Sequence, residues 1–534
     1  MEYNPLHYPY PSRRTTVYAH QGMVATSQYL AAQAGLDILK KGGNAVDAAI
    51  ATAACLTVVE PTSNGIGGDA FALVWMEGKL HGLNASGPAP MGIDPTLLRK
   101  NGLENMPGYG WLPVTVPGAP SSWAALSGRF GKLPLATVME PAVEYAEKGY
   151  PISPDLGGRW WSAYDIYKEE LKGEEYTGWF DTFAPGGKPP AVGRIWRSPG
   201  HARTLKSIAE TGGESFYRGS LAEEMDAFSR KTGGYLRKED LAAFQPEWVQ
   251  PISVNYRGFD VWELPPNGQG LVALMALNIL KDMEAHENDI ETFHRQIEAV
   301  KLAFADGSAY ITDPRHMQVK VEDLLSAGYG NRRRSLIGRR ALEPEAGRPR
   351  PGGTVYLAAA DAHGGMVSFI QSNYMGFGSG LVVPGTGIAL QNRGWHFSLN
   401  PAKANCLAPG KRTYHTIIPG FLTREGEALG PFGVMGGLMQ PQGHVQLLMN
   451  LIDYKLNPQA ALDAPRWRWV QGKTVEVEEN FSLHAAQELA KKGHDMALPS
   501  SSGVFGLGQV ILRDEEGVLA GGTDPRTDGA VAAW

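Results

Sequence analysis

One junction in the chain, at Thr354, restricts which structures can lie on either side of it. The six residues before it read Arg-Pro-Arg-Pro-Gly-Gly, a composition unsuited to a helix or a central strand. Residues 355–360 are apolar and predict a buried strand. Thr354 therefore stands where a linker meets the start of a strand. If the chain cuts itself there, Thr354 becomes a new N-terminus whose amine can act as the base for its own hydroxyl.

Composition excludes several classes of function. The chain has 534 residues, 43% of them hydrophobic and 19% charged, which is typical of a globular protein. A net charge of −6 gives no reason to expect nucleic acid or a membrane as a partner. The sequence shows neither a secretory signal nor an apolar run long enough to span a bilayer, so we expect a soluble cytoplasmic protein.

The sequence also gives no positive signal for a metal or a cofactor. The 13 histidines do not follow H-x-x-x-H spacing, and no C-x-x-C motif is present. The glycine-rich segment 64–69 lies between a predicted helix and a predicted strand, which reverses the order of a dinucleotide site. We therefore expect neither a metal nor a cofactor.

The predicted elements bring a second hydroxyl towards Thr354. Two helices are predicted early in the chain, over 28–41 with Ser27 as the N-cap, and from Asn44 to about Glu60. After Thr354 the pattern predicts a hairpin that turns at 361–365. Its return strand should place Ser372 close to Thr354.

Paired glycines follow a later apolar run. A strand is predicted over 417–422, and the next apolar run ends at Gly436 and Gly437, before a predicted helix. Glycines that enter a helix present free N–H groups, which suit an oxyanion. A plain turn is the alternative interpretation of the same two residues.

Several segments resemble the γ-glutamyltransferase family of N-terminal-nucleophile hydrolases, in the family's order and over nearly the whole chain. They are GGNAVDAA at 42–49, EPTSNGIGG at 60–68, PGAP at 117–120, EAVKLAFAD at 298–306, FGSG at 377–380, PGTGI at 384–388, GKR at 410–412 and DPR at 524–526.

The resemblance implies an α+β fold, the four-layer αββα sandwich, and an enzyme that needs no cofactor. It places the nucleophile on Thr354 and self-cleavage between Gly353 and Thr354. A large-subunit segment, 1–353, and a small-subunit segment, 354–534, then form one αββα unit. Ser372 aligns with a second family hydroxyl that bonds the nucleophile, and Gly436 and Gly437 align with the oxyanion hole. Whether two such processed units pair stays open.

The residues aligned with the family's γ-glutamyl pocket differ from its pattern. Arg393 and His396, with either Tyr374 or Asn373, replace the groups that hold the donor's α-ammonium, and His415 and Thr416 replace paired serines. An arginine facing an ammonium is repulsive. We therefore hypothesise an acyl group that carries a carboxylate but no α-ammonium, such as glutaryl, in a small-molecule amide. The alternative is that Arg393 faces solvent or pairs with a nearby carboxylate.

Two functions follow from these patterns. The first is a self-processing threonine amidohydrolase and acyltransferase of the γ-glutamyltransferase or glutathione hydrolase type, which transfers the acyl group to water or to an amine. The second is an uncleaved, inactive relative that binds an acidic small molecule or a partner protein.

Overall fold

Two stacked β-sheets form the centre of the molecule. A computed structural model of the chain describes residues 1, 7, 9–10, 14–344, 353–499 and 502–534. The described strands are β1 Val17–Ala19, β2 Gly22–Thr26, β3 Asp69–Met76, β4 Lys79–Ala85, β5 Tyr150–Pro151, β6 Ile195–Trp196, β7 Glu247–Val249, β8 Ile252–Tyr256, β9 Phe259–Glu263, β10 Gly353–Asp361, β11 Met366–Tyr374, β12 Gly420–Arg424, β13 Glu427–Met435, β14 Trp467–Gln471, β15 Thr474–Val477, β16 Asp495–Ala497, β17 Leu507–Arg513, β18 Leu519–Thr523 and β19 Ala530–Ala533.

Each large sheet combines strands from both sides of Thr354. One has the order β1-β18-β17-β13-β12-β9-β8, and the other has the order β19-β2-β10-β11-β3-β4-β7. β10 and β11 of the second sheet pack against β13 of the first. A cut before Thr354 would therefore leave two fragments that share both sheets.

Helices cover the two outer faces of the stacked sheets. The described helices are α1 Tyr29–Lys40, α2 Ala45–Val59, α3 Pro95–Lys100, α4 Ala119–Phe130, α5 Leu135–Lys148, α6 Pro154–Glu170, α7 Thr177–Phe183, α8 Pro199–Thr211, α9 Glu214–Tyr217, α10 Ser220–Lys231, α11 Lys238–Ala243, α12 Gly270–Leu280, α13 Ile290–Tyr310, α14 Val321–Leu325, α15 Ala327–Arg334, α16 Met439–Ile452, α17 Pro458–Asp463 and α18 Leu483–Lys491. α1 and α2 pack on the β10 sheet, and α12 and α16 pack on the β13 sheet. This is the predicted αββα order.

The predicted early helices are present, with one change at a cap. α2 begins after Asn44, whose side chain accepts from two first-turn N–H groups while Asp47 bonds back to the Asn44 N–H. α1 is capped by Gln28 and not by Ser27. The Ser27 hydroxyl is instead 2.5 Å from a carboxylate oxygen of Glu60, the buried residue that ends α2.

The predicted hairpin after Thr354 is confirmed, and the next strand starts later than expected. β10 and β11 pair antiparallel, with a register shift between Gly353 and Val355. β12 begins at Gly420, so residues 417–418 precede the strand. The proline-rich residues 348–352 lie outside the described residues. Among the residues that are described, no helix is long and apolar enough to cross a bilayer.

Candidate active site

Two hydroxyl groups meet at the start of the β10–β11 hairpin. Thr354 Oγ1 donates to Ser372 Oγ at 3.2 Å, as the predicted hairpin required. Ser372 Oγ also accepts from the backbone N–H of Tyr374 at 2.7 Å. Both hydroxyl residues are buried. Because the Tyr374 N–H fixes the orientation of Ser372, the Thr354 hydroxyl has a defined partner at the strand start.

A glutamine from the first turn of α16 completes this hydroxyl site. Gln440 Nε2 donates to Thr354 Oγ1 at 3.4 Å, and its Oε1 accepts from the Ile418 N–H at 3.0 Å. We define the hydroxyl site as Thr354, Ser372 and Gln440. The Gln440 N–H points at the oxygen that would carry charge if Thr354 lost its proton, so it can stabilise that charge.

Gly436 and Gly437 lie between the end of β13 and the start of α16, which carries Gln440. Both have positive φ, 137° and 59°, a region that favours glycine. Gln269 Nε2 donates to the Gly437 carbonyl at 2.8 Å and to the Thr416 carbonyl at 2.6 Å. Within the described part of the chain, neither glycine N–H donates to a protein acceptor. The turn is therefore fixed through the Gly437 carbonyl, and both N–H groups are available with respect to the described residues.

Arg393 lies buried beside the hydroxyl site. It is fully buried, its Nη1 donates to Thr416 Oγ1 at 2.6 Å, and its guanidinium lies 4.6 Å from the Tyr374 ring centre. Among the described residues, Nε and Nη2 have no hydrogen-bond partner. Burial lowers the pKa of Arg393 to about 10, which leaves it charged at neutral pH. A buried cation with two unused donors is suited to bind an anion.

Aromatic rings surround this guanidinium. The Tyr374 ring lies 4.4 Å from the His396 ring and 5.7 Å from the Trp395 ring, centre to centre. Burial, and next the charge of Arg393, holds the pKa of His396 well below its usual range, so this imidazole is neutral. Its Nε2 is buried, with no partner among the described residues. We define the anion clamp as Arg393, Tyr374, His396 and Thr416.

Asn373 lies apart from the anion clamp. Its side chain is against the turn after α2, where a Cβ on Gly65 or Gly68 would come within 2.8 Å of an Asn373 amide atom. Neither its amide nitrogen nor its amide oxygen has a partner within the described residues. Of the two residues that the family alignment left open, the structure brings Tyr374 to Arg393.

His415 is fully buried and bonds to protein groups through both ring nitrogens. Nε2 is 3.1 Å from Asp69 Oδ2, and Nδ1 accepts from the Ile417 N–H at 3.3 Å. The ring packs against Phe71 with centres 4.8 Å apart. Burial, with nearby cations, holds the pKa of His415 well below its usual range. A neutral ring with its proton on Nε2 satisfies both hydrogen bonds.

Asp69 joins several segments around the site. Its Oδ1 accepts from the N–H groups of Gly87 and Gly118, at 3.1 and 3.2 Å, and from Gln391 Nε2 at 2.9 Å. Burial raises the pKa of Asp69 to about 7, and the charge of Arg393 opposes that rise. Across the β11–β3 ladder Asp69 pairs with Ser372. One carboxylate therefore lies between the hydroxyl site and the clamp.

A separate buried cluster offers metal-ligand atoms within 4.8 Å of one another, from His294, Glu298 and His494. Lys301 Nζ lies 2.8 Å from Glu298 Oε1 and 3.5 Å from His494 Nδ1. His294 Nδ1 is 2.8 Å from His494 Nε2. The Lys301 ammonium already supplies the positive charge there, so hydrogen bonding and one ion pair account for the cluster.

Sequence reasoning missed Gln440, Gln391 and Asp69. The only sequence signal for Gln440 is its position three residues after Gly437, in the first turn of a helix. Asp69 ends the glycine-rich segment and starts a strand, where a carboxylate can cap several backbone N–H groups. Gln391 gives no signal by itself, because its role depends on a contact 322 residues away in the chain.

Comparison with known proteins gives one consistent family. The family model described as gamma-glutamyltranspeptidase matches residues 31–534. A cephalosporin acylase structure from Bacillus halodurans has a TM-score of 0.96 and 63% identity, over 100% of this chain and 99% of that one. The glutathione hydrolase-like YwrD proenzyme of Bacillus subtilis is 38% identical, over 95% of this chain and 97% of its own length. The oxamate amidohydrolase proenzyme of Klebsiella pneumoniae is 36% identical, over 96% and 98%. This chain therefore belongs to the γ-glutamyltranspeptidase family of amidohydrolase and acylase enzymes, and it has the N-terminal-nucleophile hydrolase fold.

Proposed function

We propose that the protein is a self-processing threonine amidohydrolase whose acyl substrates carry a carboxylate and lack an α-ammonium. The observation that carries the substrate part is Arg393, fully buried beside the hydroxyl site, with two nitrogens that have no partner among the described residues. The observation that carries the chemistry is the Gln440–Thr354–Ser372 chain of hydrogen bonds.

Cleavage before Thr354 releases an α-amine next to the hydroxyl. A free α-amine has a pKa of about 7.7–8.0, so a good part of it is neutral near physiological pH. It accepts the Thr354 proton as Oγ1 attacks the amide carbonyl, and the resulting ammonium then protonates the leaving amine. The N–H groups of Gly436 and Gly437 are the proposed donors to the oxyanion. Water or an amine then releases the acyl group from Thr354.

The electrostatics of the clamp favour an anionic acyl group. An α-ammonium needs a hydrogen-bond acceptor or an anion. The acid near Arg393 is Asp69, whose negative charge raises the pKa of Arg393 against the lowering by burial. Both oxygens of Asp69 already have protein partners. Oδ1 accepts from three protein donors, and Oδ2 accepts from His415. A carboxylate can instead accept from Nε and Nη2 of Arg393 in a fork, the geometry that guanidinium offers.

The name of one relative supports this class of substrate. Oxamate, named for the Klebsiella relative, is a mono-amide that carries a carboxylate and has no ammonium. We propose a glutaryl-type chain as the model acyl group for this protein.

The processing step is tested on a denaturing gel with N-terminal sequencing. We expect fragments 1–353 and 354–534 from the native chain, and a single band from Thr354→Ala. A native chain that stays in one piece after long incubation, with no amidase activity, would favour the inactive binding protein.

Substrate class is tested with three p-nitroanilides: glutaryl, γ-glutamyl and valeryl. Glutaryl and valeryl have the same chain length, and only glutaryl ends in a carboxylate. We expect kcat/KM to be highest for glutaryl. A clear preference for γ-glutamyl contradicts the proposal, and equal rates for glutaryl and valeryl contradict the role of the clamp.

A further inference from the structure

We infer that Asp69 is a positioning residue that selects carboxylate-bearing acyl groups by holding both segments of the anion clamp. Arg393 and Thr416 lie on different loops, and Asp69 bonds to a residue close to each of them. This inference rests on the proposed function, because it concerns how the clamp recognises its acyl group.

The first link runs to the loop that carries Arg393. Gln391 Nε2 donates to Asp69 Oδ1 at 2.9 Å, and Gln391 is two residues before Arg393. The Gln391 N–H also donates to the Gly67 carbonyl, two residues before Asp69. The loop is thus held at two points against the start of β3.

The second link runs to Thr416, which accepts the hydrogen bond from Arg393. Asp69 Oδ2 is 3.1 Å from His415 Nε2, and His415 precedes Thr416 directly. Because Nδ1 of the same ring accepts from Ile417, His415 has no ring nitrogen left for a substrate. His415 therefore acts on the acyl group through Thr416 and Arg393 and does not contact it.

Asp69 does not contact the acyl group either. Its Oδ1 has three donors, its Oδ2 faces His415, and the residue is fully buried. Removing the Asp69 carboxylate should therefore weaken binding of the acyl carboxylate, because the acyl carboxylate binds between the two loops that Asp69 holds in place. Attack by Thr354 on an acyl group without a carboxylate should be much less affected.

Asp69→Asn separates these roles. The amide oxygen can still accept from Gly87, Gly118 and Gln391, but the amide nitrogen now faces the Nε2–H of His415. A second donor at that point breaks the link to His415. On the processed enzyme at about pH 8, we expect the KM for glutaryl-p-nitroanilide to rise about ten-fold. For valeryl-p-nitroanilide we expect kcat and kcat/KM to stay within about two-fold of the native values.

Asp361→Asn is the matched control. Asp361 is a buried carboxylate at the far end of β10 that also accepts from backbone N–H groups, those of Ala45, His363 and Gly365. Substitution of Asp361 should leave the ratio of kcat/KM for glutaryl-p-nitroanilide to kcat/KM for valeryl-p-nitroanilide unchanged. Gln391→Leu, which removes only the first link, should lower that ratio in the same direction as Asp69→Asn. If Asp69→Asn does not fold, the Gln391→Leu variant tests the positioning role of Asp69 in its place.

The outcomes are distinct. Asp69→Asn could lower kcat/KM equally for both substrates, or Gln391→Leu could leave the glutaryl-to-valeryl ratio of kcat/KM unchanged. Either result would show a merely structural role and overturn the inference. A fall in the glutaryl KM would show that Asp69 acts on the clamp as a charge, which also overturns it. If the native enzyme itself does not prefer glutaryl over valeryl, the proposed function fails, whatever the variants do.

Discussion

The hydroxyl site and the anion clamp lie side by side, but they are built differently. In the hydroxyl site, neutral groups satisfy one another, with Gln440 donating to Thr354 and Thr354 donating to Ser372. In the clamp, a buried cation has two nitrogens without a partner in the part of the chain that the structure describes. The first arrangement pairs its own groups with one another, whereas the second presents charged donors that suit an anion.

This difference separates reaction from specificity. The sequence resemblance predicts that the hydroxyl residues and the glycine pair follow the family pattern and that Arg393 and His396 depart from it. An amide-cleaving site can therefore stay the same while the adjacent pocket changes the charge of the acyl group that it accepts. If this is correct, substitutions in the hydroxyl site should affect all substrates alike, and substitutions in the clamp should affect only anionic ones.

The largest effect is expected at Thr354. Thr354→Ala removes the proposed nucleophile, so we expect no self-cleavage and a loss of activity of at least about 10³-fold on glutaryl and valeryl substrates alike. Thr354→Ser keeps the hydroxyl and should retain cleavage at a lower rate. Gel analysis and p-nitroaniline release check both. Cleavage in Thr354→Ala would place the nucleophile elsewhere.

A smaller and selective effect is expected at Arg393. Arg393→Met removes the charged donors and should lower kcat/KM for glutaryl-p-nitroanilide about 10²-fold, because hydrogen bonds to charged groups contribute about 1.5–3 kcal/mol each. Arg393→Lys keeps the charge without the planar fork, so its kcat/KM for glutaryl-p-nitroanilide should lie between those of the native protein and Arg393→Met. Valeryl-p-nitroanilide is the control. Equal losses on both substrates would remove the distinction between clamp and hydroxyl site.

The same two regions also differ in how much of them the sequence predicted. The hairpin, Ser372 beside Thr354 and the helix after Gly437 followed from local patterns, because alternation and turn residues act over short distances. The family alignment indicated the clamp residues but left Tyr374 and Asn373 open, since a one-residue shift changes which face of a strand a side chain occupies. Gln391 and Asp69 depend on contacts between distant segments, which no local pattern encodes.

A moderate effect is expected at Gln440, and it should not depend on the substrate. Gln440→Glu keeps an acceptor for the Ile418 N–H but removes the donor to Thr354 Oγ1. A neutral hydrogen bond contributes about 0.5–1.5 kcal/mol, so kcat should fall by about ten-fold or less on every substrate. Gln440→Met is the uncharged comparison and should behave similarly. A loss confined to glutaryl would assign Gln440 to the clamp.

The smallest effect is a pH dependence of stability that arises from Asp69 and is modified by Arg393 of the clamp. The pKa of Asp69 is raised by burial to about 7, so between its unfolded and folded pKa values the folded state holds a proton that the unfolded state has lost. Stability therefore falls as pH rises through that window and levels off above the folded pKa.

The charge of Arg393 opposes the rise in the pKa of Asp69. In Arg393→Met the window should extend to higher pH, so the Tm difference between this variant and the native protein should become more negative from about pH 6 to pH 8. One unit of pKa corresponds to about 1.4 kcal/mol, so the change should amount to a few degrees or less. Gln440→Met should show no such slope, because it changes no charge. A constant difference across pH in Arg393→Met would mean that Arg393 and Asp69 are not coupled.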